Sequence, residues 1–143
     1  MKIAAPQPVV HWEAASAAVA AAARHAEQAG LCVNIAVVDA GGNLAAFLRM
    51  PGAFLHSIDI AIDKAYTAAG FGLPTAMWSE ALKSHSEAVR AGLPMRPRMV
   101  CFGGGLPIEH EGQRIGGIGV SGGSESEDEA CAKAGLAAIA QPA

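Results

Sequence analysis

Charge is scarce in this chain. Only 16% of its 143 residues are Asp, Glu, Lys or Arg, and the formal net charge is −3. The sequence has no basic stripe, and its one close group of cations is Arg90, Arg96 and Arg98. A nucleic-acid partner is excluded on that ground, because phosphate backbones are held by clustered Lys and Arg. Cysteine is scarce too. Cys32, Cys101 and Cys131 show no C-x-x-C spacing. An odd count fits reduced thiols better than a disulfide framework, so a cytoplasmic location is expected. No run of 18 apolar residues exists, and no membrane span is expected. The Ala-rich N-terminus is a poor leader. Pro6, Pro8, His11 and Glu13 interrupt it, and it continues into Arg24-His25-Ala26-Glu27 as a helix. The histidines lack metal-ligand spacing, with no H-x-x-x-H, so no metal is expected.

What is abundant is apolar and small. Hydrophobic residues make up 52% of the chain, enough for a packed core, and the length suits one domain over residues 1–143. Abundant Ala and Gly let elements approach closely. With the low charge, this points to burial in a homo-oligomer.

Periodicity gives the elements. An Ala-rich helix from Trp12 to Ala29 carries a stripe of Trp12, Ala15, Val19, Ala22, Ala23 and Ala26. A β-branched strand over 32–39, the turn Ala40-Gly41-Gly42-Asn43 and a strand over 44–49 form a hairpin. A second helix spans Leu55–Gly70, with Ser57 as its expected N-cap. A third spans Pro74–Val89, and a loop follows over Arg90–Arg98. Short strands are predicted at 99–102 and 108–110, separated by a turn at 103–107, with a last strand at 114–121. Ser124 and Glu127 form an S-x-x-E capping box on the final helix. Hairpins dominate, so the sheet is expected to be mainly antiparallel, with helices on its faces.

Gly117, Gly119 and Gly122 match G-x-G-x-x-G between a strand and a helix. A dinucleotide turn presents a helix N-terminus to pyrophosphate. Here that N-terminus carries Glu125, Glu127, Asp128 and Glu129, which satisfy the helix dipole themselves and repel phosphate. The glycines instead mark a strand whose backbone comes close to a neighbour.

Three motifs carry a family resemblance: Val37-V-D-A-G-G-N-L-A-A-F-L-R-M-P-G-A53, Ser57-I-D-I-A-I-D-K-A-Y-T-A68 and Gly116-G-I-G-V-S-G-G123 with Asp128 following. In this order, across Trp12–Ile139, the chain resembles the GlcG/HbpS family of haem-binding and haem-degrading-type domains. It is also similar to the C-terminal part of the PduO cobalamin adenosyltransferases. The resemblance implies a profilin-like α/β/α fold of α+β type around a five-stranded, mainly antiparallel sheet. It also implies homo-oligomers, often octamers built from dimers, and haem as a cofactor. The chain departs from the family pattern at Met50-Pro51-Gly52, at Ser84–Arg98 and at Cys101-F-G-G-G-L-P107, all flanking the expected cleft.

Several residues are candidates for chemistry. His56, at a helix start, has the side chain of a general base or a metal ligand; the competing role is an exposed or capping histidine. Lys64, polar in an apolar helix, suits a substrate carboxylate or a haem propionate, or a salt bridge to Asp63, Asp39 or Asp59. Arg49 is a second anion ligand through its fork of donors, or a partner of Asp39. Asp39 binds ligand or caps its turn. Thr67 and Ser121 are hydrogen-bonding candidates. Cys101 is a nucleophile beside backbone donors, or a small buried hydrophobe. His11, His25, His85 and His110 read as surface residues. Two functions remain open. One is a protein binding haem or another planar or acidic small molecule in a cleft near a subunit interface. The other is a small catabolic enzyme (hydrolase, isomerase or lyase) on a carboxylate substrate, with His56 as acid/base and Lys64 and Arg49 orienting it.

Overall fold

A computed structural model describes residues 1–140. Residues 141–143 of the expected 1–143 domain lie outside the described residues.

The order is α1 (Trp12–Gln28), β1 (Asn34–Asp39), β2 (Leu44–Arg49), α2 (His56–Phe71), α3 (Trp78–Ala81), α4 (Glu87–Gly92), β3 (Gly105–His110), β4 (Gln113–Ser121) and α5 (Glu125–Ile139). The strands form one sheet, ordered β2-β1-β4-β3, with every neighbouring pair antiparallel. Four strands stand where five were expected. The missing strand is Met99–Phe102, whose amides turn to partners other than a neighbouring strand: the Met99 amide donates to the Arg96 carbonyl at 3.2 Å. The Val100 amide donates to Thr67 Oγ1 at 3.1 Å and the Gly103 amide to Glu125 Oε1 at 2.6 Å. The expected turn at 103–107 is also partly strand, because β3 begins at Gly105. Pro107 is tolerated there because β3 is an edge strand and leaves one row of donors unused.

The helices make two outer layers. α1 and α5 cover one face of the sheet, burying Val33, Ile35, Val37, Ile118 and Val120. α2 covers the other, where Ala61, Ala65 and Ala69 meet Ala36 and Val38. Gly117 and Gly119 belong to this second face. A Cβ at Gly119 would run into the Ala61 carbonyl oxygen, and one at Gly117 into that of Ala65. The G-x-G pattern is therefore the seat of a helix backbone, as its weak phosphate logic suggested.

Local chemistry explains the ends. Asp39 Oδ1 accepts from the amides of Gly41 (2.9 Å) and Asn43 (3.0 Å), closing the β1–β2 hairpin. Glu111 and Gly112 both take positive φ in the two-residue β3–β4 turn, which matches the right-handed strand twist. The Ser124–Glu127 capping box forms as expected. Ser57 is not the N-cap of α2; Leu55 holds that position and Ser57 is buried. The expected third helix over Pro74–Val89 is a string of short pieces. Single 3₁₀ turns at Thr75–Met77 and Leu82–Ser84 flank α3, and His85 is extended. The segment has few buried residues to hold a long helix, Trp78 being the main one.

Candidate functional site

One polar row crosses the end of the sheet on the α2 side. Arg49 lies opposite Asn34, and Asn34 opposite Ser121. Arg49 Nη2 donates to the Ala53 carbonyl at 2.7 Å, and Asn34 Nδ2 to the Phe54 carbonyl at 3.0 Å. These bonds fix the loop that delivers His56 to the first turn of α2. Arg49 thus binds backbone rather than Asp39. His56 is exposed and, among the described residues, has no hydrogen-bond partner. Ser121 is buried at the strand end, and the buried Oδ1 of Asn34 has no partner among the described residues.

Lys64 lies elsewhere. Its side chain is 1% exposed, and its Nζ donates to Asp128 Oδ2 at 3.0 Å and to the Val120 carbonyl at 2.8 Å. The Phe102 ring lies 5.2 Å from the ammonium. Burial pulls the Lys64 pKa down; the charge and hydrogen bond of Asp128, and then Glu125, oppose that pull. The salt-bridge alternative applies, with Asp128 as partner in place of Asp39, Asp59 or Asp63. Eight residues of helix separate Lys64 from His56, about 12 Å along the axis. The structure does not bring the two catalytic candidates together. Thr67 is also committed: its hydroxyl donates to the Arg98 carbonyl at 2.9 Å while accepting from Val100. Cys101 is half-buried, and burial pushes its thiol pKa up, which disfavours a nucleophilic thiolate. Asp39 serves its turn.

A cavity of about 700 Å³ opens between the start of α1, the end of α5 and the β3–β4 edge. Val9, Ile108, Leu136 and Ile139 give it apolar walls, and His11 and His110 stand in the lining. His11 Nδ1 accepts from the Glu13 amide at 3.3 Å as the N-cap of α1, leaving Nε2 for another partner. His110 Nε2 lies 3.7 Å from Glu111 Oε1. Arg114 does not line the cavity; it lies beside Gly72, which does, and donates to the Gly70 carbonyl at 3.5 Å. His56 does not line this cavity. The two histidines that do are exposed, as expected, and only the fold brings them to one hollow.

An apolar hollow of this volume, with two imidazoles and a guanidinium at hand, has the size and lining of a cofactor-class pocket. A haem needs apolar walls for its ring, a nitrogen donor for its iron and cations for its propionates; the residues present fit those needs. Among the described residues, no group of three or more His, Cys, Asp or Glu is placed to hold a bare metal ion. No described helix is long and apolar enough to cross a membrane.

Comparison with known proteins agrees with the three motifs. The family model described as haem degrading protein HbpS-like matches residues 10–137. GlcG of Escherichia coli K12 is 33% identical over 116 residues, covering 79% of this chain and 81% of GlcG. The corrinoid adenosyltransferase PduO of Citrobacter freundii is 36% identical over 119 residues, 83% of this chain but 36% of PduO. The chain therefore spans about a third of that enzyme. Among solved structures, a double mutant of HbpS from Streptomyces reticuli superposes with a TM-score of 0.87 at 34% identity, covering 99% of this chain and 98% of that one. A PduOC:haem complex gives 0.83 at 33% identity over 92% and 95%. With a family match along nearly all of its described length, and solved relatives of the same fold, this chain belongs to the HbpS-like family.

Proposed function

We propose that this protein binds haem, or a planar acidic metabolite of similar size, in the 700 Å³ cavity. The observation that carries the reading is the pairing of apolar walls with His11 and His110 in one hollow. The PduOC:haem complex of a relative supports it. His11 or His110 would ligate the iron, and Arg114 would meet a propionate. Bound haem would supply a redox-active iron centre. The protein's part is to exclude water from the ring, orient it and fix its charges.

The enzyme reading draws no comparable support, since Lys64 is occupied by Asp128 and His56 has no acidic partner among the described residues. Phe54 and Leu55, beside His56, are 67% and 71% exposed. Those large apolar side chains support burial of this edge against a second copy, in a dimer-based homo-oligomer.

Titration with haemin, followed by the Soret band, tests the binding site. Saturable binding in the parent is expected, with His11→Ala or His110→Ala weakening it at least tenfold and His56→Ala leaving it unchanged. Loss of binding only in His56→Ala would move the site to the start of α2. Sedimentation of the same samples checks the assembly: a monomer at every concentration would remove the interface.

A further inference from the structure

A second hollow, about 290 Å³, lies on the far side of α2 beneath the segment Leu93–Met99. Its walls include Tyr66, Phe71, Leu93, Arg96 and Met99. With Arg90 just before it, the segment holds the one basic cluster of the sequence, and the three arginines have different fates. Arg90 Nη1 donates to the His85 carbonyl at 2.8 Å. Arg98 Nε is paired with Asp63 Oδ1 at 3.1 Å, and its guanidinium lies 3.5 Å from the centre of the Tyr66 ring. The Arg96 side chain has no hydrogen-bond or acidic partner among the described residues. One cation is therefore left over, and it stands at an apolar, partly aromatic hollow.

The wall that carries Arg96 is held in place. Arg98 has φ of 66°, a left-handed conformation that is unfavourable for a residue with a side chain. The buried hydroxyl of Thr67 pins it there, donating to the Arg98 carbonyl at 2.9 Å and accepting from the Val100 amide at 3.1 Å. The cation–π contact with Tyr66 and the ion pair with Asp63 hold the same residue from the other side. The backbone two residues from Arg96 is thereby fixed, which sets an exposed guanidinium, without a partner among the described residues, at the rim of the hollow.

We propose that this hollow binds a small monocarboxylate with a flat apolar body. Its carboxylate would pair with the Arg96 guanidinium, and its body would pack among Tyr66, Phe71, Leu93 and Met99. The chemistry follows from the lining. The free charge is a single planar cation with a fork of donors, the geometry that carboxylates match. The remaining volume suits a ring of benzene size and is far too small for a macrocycle. This site is separate from the haem cavity and does not depend on it.

Calorimetric titration of the full chain with benzoate, and with benzamide as a neutral analogue of the same shape, tests the proposal. Saturable benzoate binding is expected, with benzamide at least tenfold weaker. Arg96→Gln, an exposed substitution that leaves the melting temperature unchanged, should weaken benzoate about tenfold and erase the preference over benzamide. His11→Ala should leave benzoate binding as in the parent. Equal affinity of parent and Arg96→Gln for benzoate, equal affinity of the parent for both compounds, or no saturation with benzoate would each overturn the proposal. Loss of benzoate binding in His11→Ala would assign it to the other cavity, with the same consequence.

Discussion

The two faces of the sheet are packed by opposite means. Toward α1 and α5 the core is built of Val, Ile and Leu side chains, including Ile35, Ile118 and Val120. Toward α2 it is built of almost nothing but Ala and Gly: Ala36, Ala61, Ala65, Ala69, Gly117 and Gly119. The first face fills space with side chains beneath a single layer formed by α1 and α5. The second brings backbone to backbone. A face filled by side chains can leave a hollow at its margin, where α1 and α5 part from the sheet, and the large cavity lies there. On the second face Lys64, a large and fully buried residue, runs to the end of the sheet and crosses to Asp128 on the opposite layer.

The sharpest test of this contrast is Gly119→Val. Its side chain would collide with the Ala61 carbonyl and the Ala65 amide, both backbone atoms that cannot turn away. The variant is expected not to fold, a loss well beyond the roughly 1–3 kcal/mol of ordinary overpacking. A normal circular-dichroism melt would show that α2 can lift from the sheet, and the contrast between the faces would dissolve.

Asp128→Ala comes next. It leaves the Lys64 ammonium buried without its partner, and a loss of about 3 kcal/mol is expected in urea unfolding. The double variant Lys64→Met with Asp128→Leu should recover most of that loss. A double variant as weak as the single one would mean that the clasp joins the layers through its shape rather than its charge.

The smallest effect concerns Cys131, on the side-chain-filled face. Burial, with the charges of Asp128 and Glu127, pushes its thiol up to about 11 from an ordinary value near 9. The unfolded thiol therefore loses its proton first as pH rises, and the folded state is disfavoured progressively from about pH 9 to 11. This contribution is fully present below pH 9. Cys131→Ala should lose about 2 kcal/mol less than the parent across that window, measured as the difference between their pH profiles. Parallel profiles would mean that water reaches the thiol.

Much of the fold was legible residue by residue. The Ala stripe of α1, the Asp39 turn and the Ser124–Glu127 box are local: each depends on contacts within a few residues, where spacing reports directly on geometry. The errors have a common cause. Met99–Phe102 has strand-like residues, but Thr67 takes the Val100 amide and Glu125 that of the adjoining Gly103, and neither is near in sequence. The segment Pro74–Val89 has helical residues, but little of it is buried, and propensity without packing supports only single turns. The candidate residues divide the same way. Asp39 was readable as a turn cap because its partners are Gly41 and Asn43. His11 and His110 were not readable as neighbours of one cavity.

By itself, the sequence determined the three long helices, the antiparallel hairpins and the family, because these rest on short-range periodicity and on motifs in a fixed order. It also determined that a Gly-x-Gly strand must receive something close. Only the tertiary structure decided what that was: the backbone of α2. It alone paired Lys64 with Asp128 across 64 residues, left Arg96 as the unpaired arginine of its cluster and set two distant histidines around one hollow. The physical reason is that burial and pairing are properties of surfaces meeting. A residue's identity fixes what it can offer, and the partner that answers it is chosen only when the chain has closed.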